Sequence, residues 1–168
     1  MLAAVLMGDV LVLLRRDHAE LRGALGVLVA ADASDHELGD ALEAVRLGLL
    51  SHTSGEGWLI DAVLDEVHPS AIVYLLCSQV LAAHFAQEAA LAALEQARRG
   101  DQTFRERAAH LADLIQDHDK HEARCVIPAL RDYLSRELYG ELCRSYSIGR
   151  LRALGTIPLT LGTPGCRS

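Results

Sequence analysis

Aromatic residues make up only 4% of this 168-residue chain, with one Trp and two Phe. The apolar 51% is carried mostly by Leu, Ala and Val, and long intervals contain no Pro, so helices are predicted rather than a β-sandwich. Basic residues are also few. The 16 Lys and Arg face 23 Asp and Glu, a net charge of −7 that argues against a nucleic-acid or anionic-membrane surface, since either needs a basic patch. The expected partner is small and neutral or cationic. Cys77, Cys125, Cys143 and Cys166 form no C-x-x-C pair and are too sparse for a disulfide scaffold, which predicts reduced thiols in a cytoplasm. No apolar run reaches the 18 or so residues of a membrane span. The apolar start, Met1 to Leu14, lacks a basic leading region, contains Asp9 and runs into Arg15-Arg16. It reads as the beginning of a helix rather than a signal peptide.

Against these shortages stands a regular series of histidines. His18, His52, His84 and His118 are separated by 34, 32 and 34 residues, and three of them open an H-x-x-x-E motif: His52 with Glu56, His84 with Glu88, His118 with Glu122. Random placement of 8 His and 11 Glu would give roughly 0.5 such pairs. In a helix, residues i and i+4 share a face, so each pair can offer an imidazole nitrogen and a carboxylate oxygen to one metal site. His121 lies one turn from His118 and competes with it, but the interval and the partner at i+4 favour His118. His36, His68 and His110 fall out of register and are expected to be structural or exposed.

Punctuation residues divide the chain into helices. Asp9 is a candidate cap for a first helix over about 10–31, with Leu11, Leu14, Leu21, Leu25 and Leu28 along one face. Ser34 and Glu37 form a capping-box pattern before a second helix to about Val67. Within it, Gly55 and Gly57 flank Glu56 and indicate a close backbone approach, a local kink or simple tolerance. His68-Pro69-Ser70 is a turn, followed by a third helix to about Arg99, where Gly100 ends it. Thr103 and Glu106 form another capping pattern, and the fourth helix runs to about Tyr133 with a bend expected at Pro128. Ser135 caps a shorter fifth helix to about Leu154. From Gly155, closely spaced Pro and Gly predict a flexible tail. The expected organisation is one domain over residues 1–154 and a tail over 155–168.

In an antiparallel hairpin, residues equidistant from the turn are level. The midpoints between successive histidines are 35, 68 and 101, which coincide with the three turns placed from capping and breaker residues alone. The fold class predicted is therefore all-α, an up-down-up-down four-helix bundle with the four histidines in one layer. Helices 2 and 4 run in the same direction, so Glu56 and Glu122 lie about 6 Å to one side of that layer and can meet across the core. Glu88, on the oppositely directed helix 3, is expected on the other side as a terminal ligand. Four His and three Glu exceed the needs of one tetrahedral zinc and suit two ions of the iron or manganese type.

These residues, in this order, resemble the hemerythrin-like, or HHE cation-binding, domain family. The segments are RRDHAELR around His18, SHTSGEGWL, AAHFAQEAAL and QDHDKHEARCVIPAL, and the likeness spans roughly residues 9 to 134. It implies two Fe ions with an oxo or hydroxo bridge, Glu56 and Glu122 bridging them, His18 and His52 on one iron, and His84, Glu88 and His118 on the other. An open iron position beside His18 and His52 would then take peroxide, dioxygen or nitric oxide. Oxygen carriers of the family have H-x-x-x-H on helix 3, whereas this chain has Glu88 at the second position, which argues against reversible oxygen carriage. The functional expectation is reaction with a small oxidant, in the manner of a catalase or peroxidase. The alternatives are a sensing or storage module for oxygen, nitric oxide or iron, and a metal-free helical interaction protein.

Overall fold

A computed structural model describes residues 10–66 and 70–155. The described residues are helical, without a strand: α1 (Val10–Val29), α2 (Asp35–Glu66), α3 (Ala71–Glu95), α4 (Gln102–His121), a π-helical turn (Glu122–Val126), α5 (Ile127–Tyr133) and α6 (Arg136–Ala153). The proposed cap Asp9, the turn residues His68 and Pro69, Cys166 and the tail beyond Gly155 lie outside the described residues.

Local chemistry accounts for the helix ends. Ser34 and Glu37 cap α2 reciprocally: the Ser34 N–H donates to Glu37 Oε2 at 2.8 Å, and the Glu37 N–H donates to Ser34 Oγ at 3.3 Å. Ser70 accepts from the Val73 N–H to start α3, and Ser135 accepts from the Leu138 N–H to start α6. The Thr103 cap is corrected. Asp101 accepts from the Phe104 N–H at 2.7 Å, so Thr103 is already inside α4. Gly100 turns the chain with φ of 77°, a left-handed conformation that favours glycine, and α3 has ended four residues before Arg99, at Glu95. The bend expected at Pro128 takes the form of the π turn. Pro128 has no N–H for the Arg124 carbonyl and its ring would strike that carbonyl; the widened turn, in which the Ile127 N–H donates to the Glu122 carbonyl, relieves both.

Two apolar clusters form the core, and their order along each helix is informative. The first contains Leu14, Leu59, Val80 and Val126; the second contains Leu21, Leu49, Ala90 and Ile115. Leu14 and Val80 precede His18 and His84, whereas Leu59 and Val126 follow His52 and His118. Successive helices thus meet the same cluster from alternate directions, with the four histidines between the clusters. α1 packs on α2 and α4, and α3 on α2 and α4.

α6 lies against α2, where glycine permits contact. A Cβ on Gly55 would sit 2.8 Å from the Tyr146 ring, and one on Gly149 would sit 2.7 Å from the Trp58 ring. Gly55 is therefore a close approach, while Gly57 has nothing within 4 Å and is merely tolerated. Among the cysteines described, Cys77 and Cys143 are buried and Cys125 is exposed. No described helix is long and apolar enough to cross a membrane.

Candidate metal centre

The layer between the clusters is polar and closed to solvent. His18 from α1, His52 and Glu56 from α2, His84 from α3, and His118 and Glu122 at the α4 to π-turn junction are all buried. His52 Nε2 lies 3.2 Å from His18 Nε2 and 3.3 Å from His118 Nε2, and His84 Nε2 lies 2.6 Å from Glu56 Oε2. Glu122 reaches His18 Nε2 at 3.6 Å and His118 Nε2 at 3.4 Å. Two overlapping groups result, His18, His52, His118 and Glu122, and His52, Glu56, His84 and His118, each with ligand atoms within 4.8 Å of one another. Both could hold a metal ion. His52 and His118 belong to each, so proximity alone does not divide the four histidines into two separate pairs.

Glu88 does not join this cluster. Its side chain is exposed, and Gln87 fills the inward position of that turn with neither end of its amide hydrogen-bonded among the described residues. His36 and His110 are exposed, as expected, and His121 is half-buried outside both groups.

Burial sets the protonation of the layer. His52 is held well below the usual imidazole range, and His18 is also lowered, in both cases chiefly by loss of water. Both rings are therefore neutral, the form that binds metal. Burial also raises Glu122, and the neighbouring charge of Glu56 raises it further, so Glu122 stands well above the carboxylate range. Burial alone would raise Glu56 as well, but His52 and hydrogen bonds from Glu122, His118 and His84 outweigh it and hold Glu56 low. Burial and mutual repulsion thus push Glu122 toward its protonated form, while the surrounding donors hold Glu56 toward its anionic form. Glu56 Oε1 and Glu122 Oε2 have no hydrogen-bond partner among the described residues. Buried oxygens left this way are costly unless a cation faces them.

Residues outside the histidine series support the layer. Asp119 places Oδ1 3.2 Å from His18 Nδ1, an ion-pair distance without hydrogen-bond geometry, and is itself paired with Arg22; its negative charge favours a proton on Nδ1, with Nε2 facing the cluster. Asp17 is buried and accepts from Tyr146 Oη at 2.6 Å and from Arg150 Nε at 2.7 Å, which ties α1 to α6. Sequence spacing did not single these residues out. Adjacency to His18 and His118 was the available signal for Asp17 and Asp119; nothing local marks Tyr146 or Arg150, which lie more than 125 residues from Asp17. A void of about 10 Å³ adjoins Glu56 and Glu122, lined also by Leu14, Cys77, Val80 and Val126. It is near the lower limit for one water molecule.

No family model, curated protein or solved structure matches this chain.

Proposed function

We propose that the chain is a hemerythrin-like di-iron protein that reacts with a small oxidant, its long helices forming an up-down-up-down bundle within a single domain. The observation that carries this reading is the buried layer of four imidazoles and two carboxylates, in which one oxygen of each carboxylate, Glu56 Oε1 and Glu122 Oε2, has no hydrogen-bond partner among the described residues. The alternating order of the apolar clusters supports the bundle. The residues fit the ions: neutral imidazoles and carboxylates in mixed number suit iron, whose preferred coordination exceeds four. His18, His52, His84 and His118 would each supply one nitrogen, and Glu56 and Glu122, on one side of the histidine layer, would serve both ions. Bound iron would supply redox change and Lewis acidity toward peroxide, dioxygen or nitric oxide.

The chain's own residues define the rest. With Glu88 outside, six inward donors remain; shared between two ions they leave coordination positions open, whereas a single ion would be saturated. The void beside Glu56 and Glu122 is lined mainly by apolar side chains and has room for about one water-sized molecule. Glu122, pushed toward its protonated form, would give up that proton when a cation binds.

Mixing the iron-loaded protein with hydrogen peroxide tests the reading. Repeated decomposition of peroxide is the expected result. A single binding event without turnover would move the function to sensing or storage, and failure to take up iron would remove both.

A further inference from the structure

α3 has two seams. Its buried face runs through Val73, Cys77, Val80, His84, Gln87 and Leu94. The opposite face repeats Ala71, Leu75, Ser78, Ala82, Phe85 and Ala89 at steps of 4, 3, 4, 3 and 4, and all six are exposed. That alternation is the spacing of a helix pairing with another helix, whereas a solvated face is ordinarily charged. Here Ala71 through Gln87 contains no Asp, Glu, Lys or Arg. Leu75 is 57% exposed and Phe85 71%, with Ile72, Tyr74 and Leu81 flanking them at 54%, 60% and 36%.

We propose that this face pairs with the same face of a second copy, the two α3 helices running antiparallel about a two-fold axis at position 80. The size pattern is symmetric about that position. Ala71 meets Ala89, Leu75 meets Phe85, and Ser78 meets Ala82, so large residues pack on large ones at either end of a central layer small enough for close helix approach. At on the order of 200 Å² per fully exposed large apolar residue, the five large side chains present on the order of 550 Å² per copy. The small residues between them bring this toward the roughly 800 Å² per partner of a standard interface. Charge selects the same face. Each copy carries −7, and an uncharged helix is where two such copies approach with least repulsion.

Light scattering on the full chain tests this without reference to metal. The expected mass is about 36 kDa, twice 18.2 kDa. Leu75→Glu with Phe85→Glu, both at exposed positions, should give a monomer with unchanged helical circular dichroism. The register is tested at the centre: Ser78→Lys with Ala82→Lys should dissociate the pair, while Ser78→Glu with Ala82→Lys, which sets acid against base across the axis, should restore it. A monomeric wild type, the outcome if a different protein covers this face, overturns the proposal. So does a dimer that survives Leu75→Glu with Phe85→Glu, or identical behaviour of the two central pairs.

Discussion

Helices α2 and α4 carry the same H-x-x-x-E motif as α3, yet Glu56 and Glu122 are buried beside the histidines while Glu88 is exposed. The difference lies in the step that precedes each histidine. Leu49 to His52 and Ile115 to His118 are steps of three along the buried face, so the next inward step is four and lands on the glutamate. Val80 to His84 is already a step of four, so the next is three and lands on Gln87. A helix of 3.6 residues per turn alternates these steps to keep one face inward. The motif supplies the donors, and the apolar residues before it set the phase.

Truncating the three glutamates should separate the buried pair from Glu88. Glu56→Ala and Glu122→Ala should abolish most metal retention, measured by elemental analysis after purification. Glu88→Ala should keep its metal and change unfolding free energy by no more than about 0.5 kcal/mol, as for other exposed sites. Equal metal loss from all three would return Glu88 to the site. Asp119 sharpens the comparison within α4, since it acts through His18 rather than as a donor. Asp119→Asn should weaken metal affinity about 10- to 100-fold in competition with a chelator; an unchanged affinity would make the contact incidental.

The glycines beside Glu56 divide in the same manner. Gly55→Ala forces a methyl against Tyr146 and should cost about 1–3 kcal/mol in urea unfolding. Gly57→Ala meets nothing and should be neutral or stabilise by about 0.5–1 kcal/mol. If the two behave alike, the seating of α6 on α2 is wrong.

The smallest effect concerns pH. In the metal-free protein His18 and His52 have folded pKa values below the ordinary 6.5, so below that pH the unfolded chain binds protons that the folded chain does not. Stability from these groups is full above 6.5 and is lost as pH falls toward their folded values. Glu122 acts in the opposite sense. Its folded pKa is raised above 4.5, so its contribution is full below 4.5 and is lost as pH rises through the folded value. Urea unfolding of the metal-free protein from pH about 7.5 to about 5 should show the histidine loss below 6.5, and bound metal, which holds the folded rings neutral, should make stability fall at least as steeply on acidification. A histidine contribution that grows on acidification would show that these rings gain protons on folding.

Most of the helices and the caps Ser34 and Ser135 were legible because these residues act through their immediate neighbours; Gly100 marked the turn but not the end of α3, which stops earlier at Glu95, and Ser70, read only as part of a turn, is the α3 cap. The shared level of the four histidines followed from turn positions, and the inward placement of Glu56 and Glu122 from helix direction. Thr103 misled because Asp101, two residues earlier, is the stronger acceptor for the same free N–H groups. Glu88 misled because spacing was counted from the histidine alone and not from Val80. The Tyr146, Asp17 and Arg150 contacts join α6 to α1 across the fold, and no local pattern encodes them.

Anaerobic titration of the metal-free protein with ferrous iron, followed by calorimetry and by Tm, tests the central claim most directly. Saturation near two irons per chain, release of a carboxylate proton and a higher Tm are expected. Saturation at one ion would refute the paired centre, and no uptake with an unchanged Tm would contradict a metal site in this layer altogether.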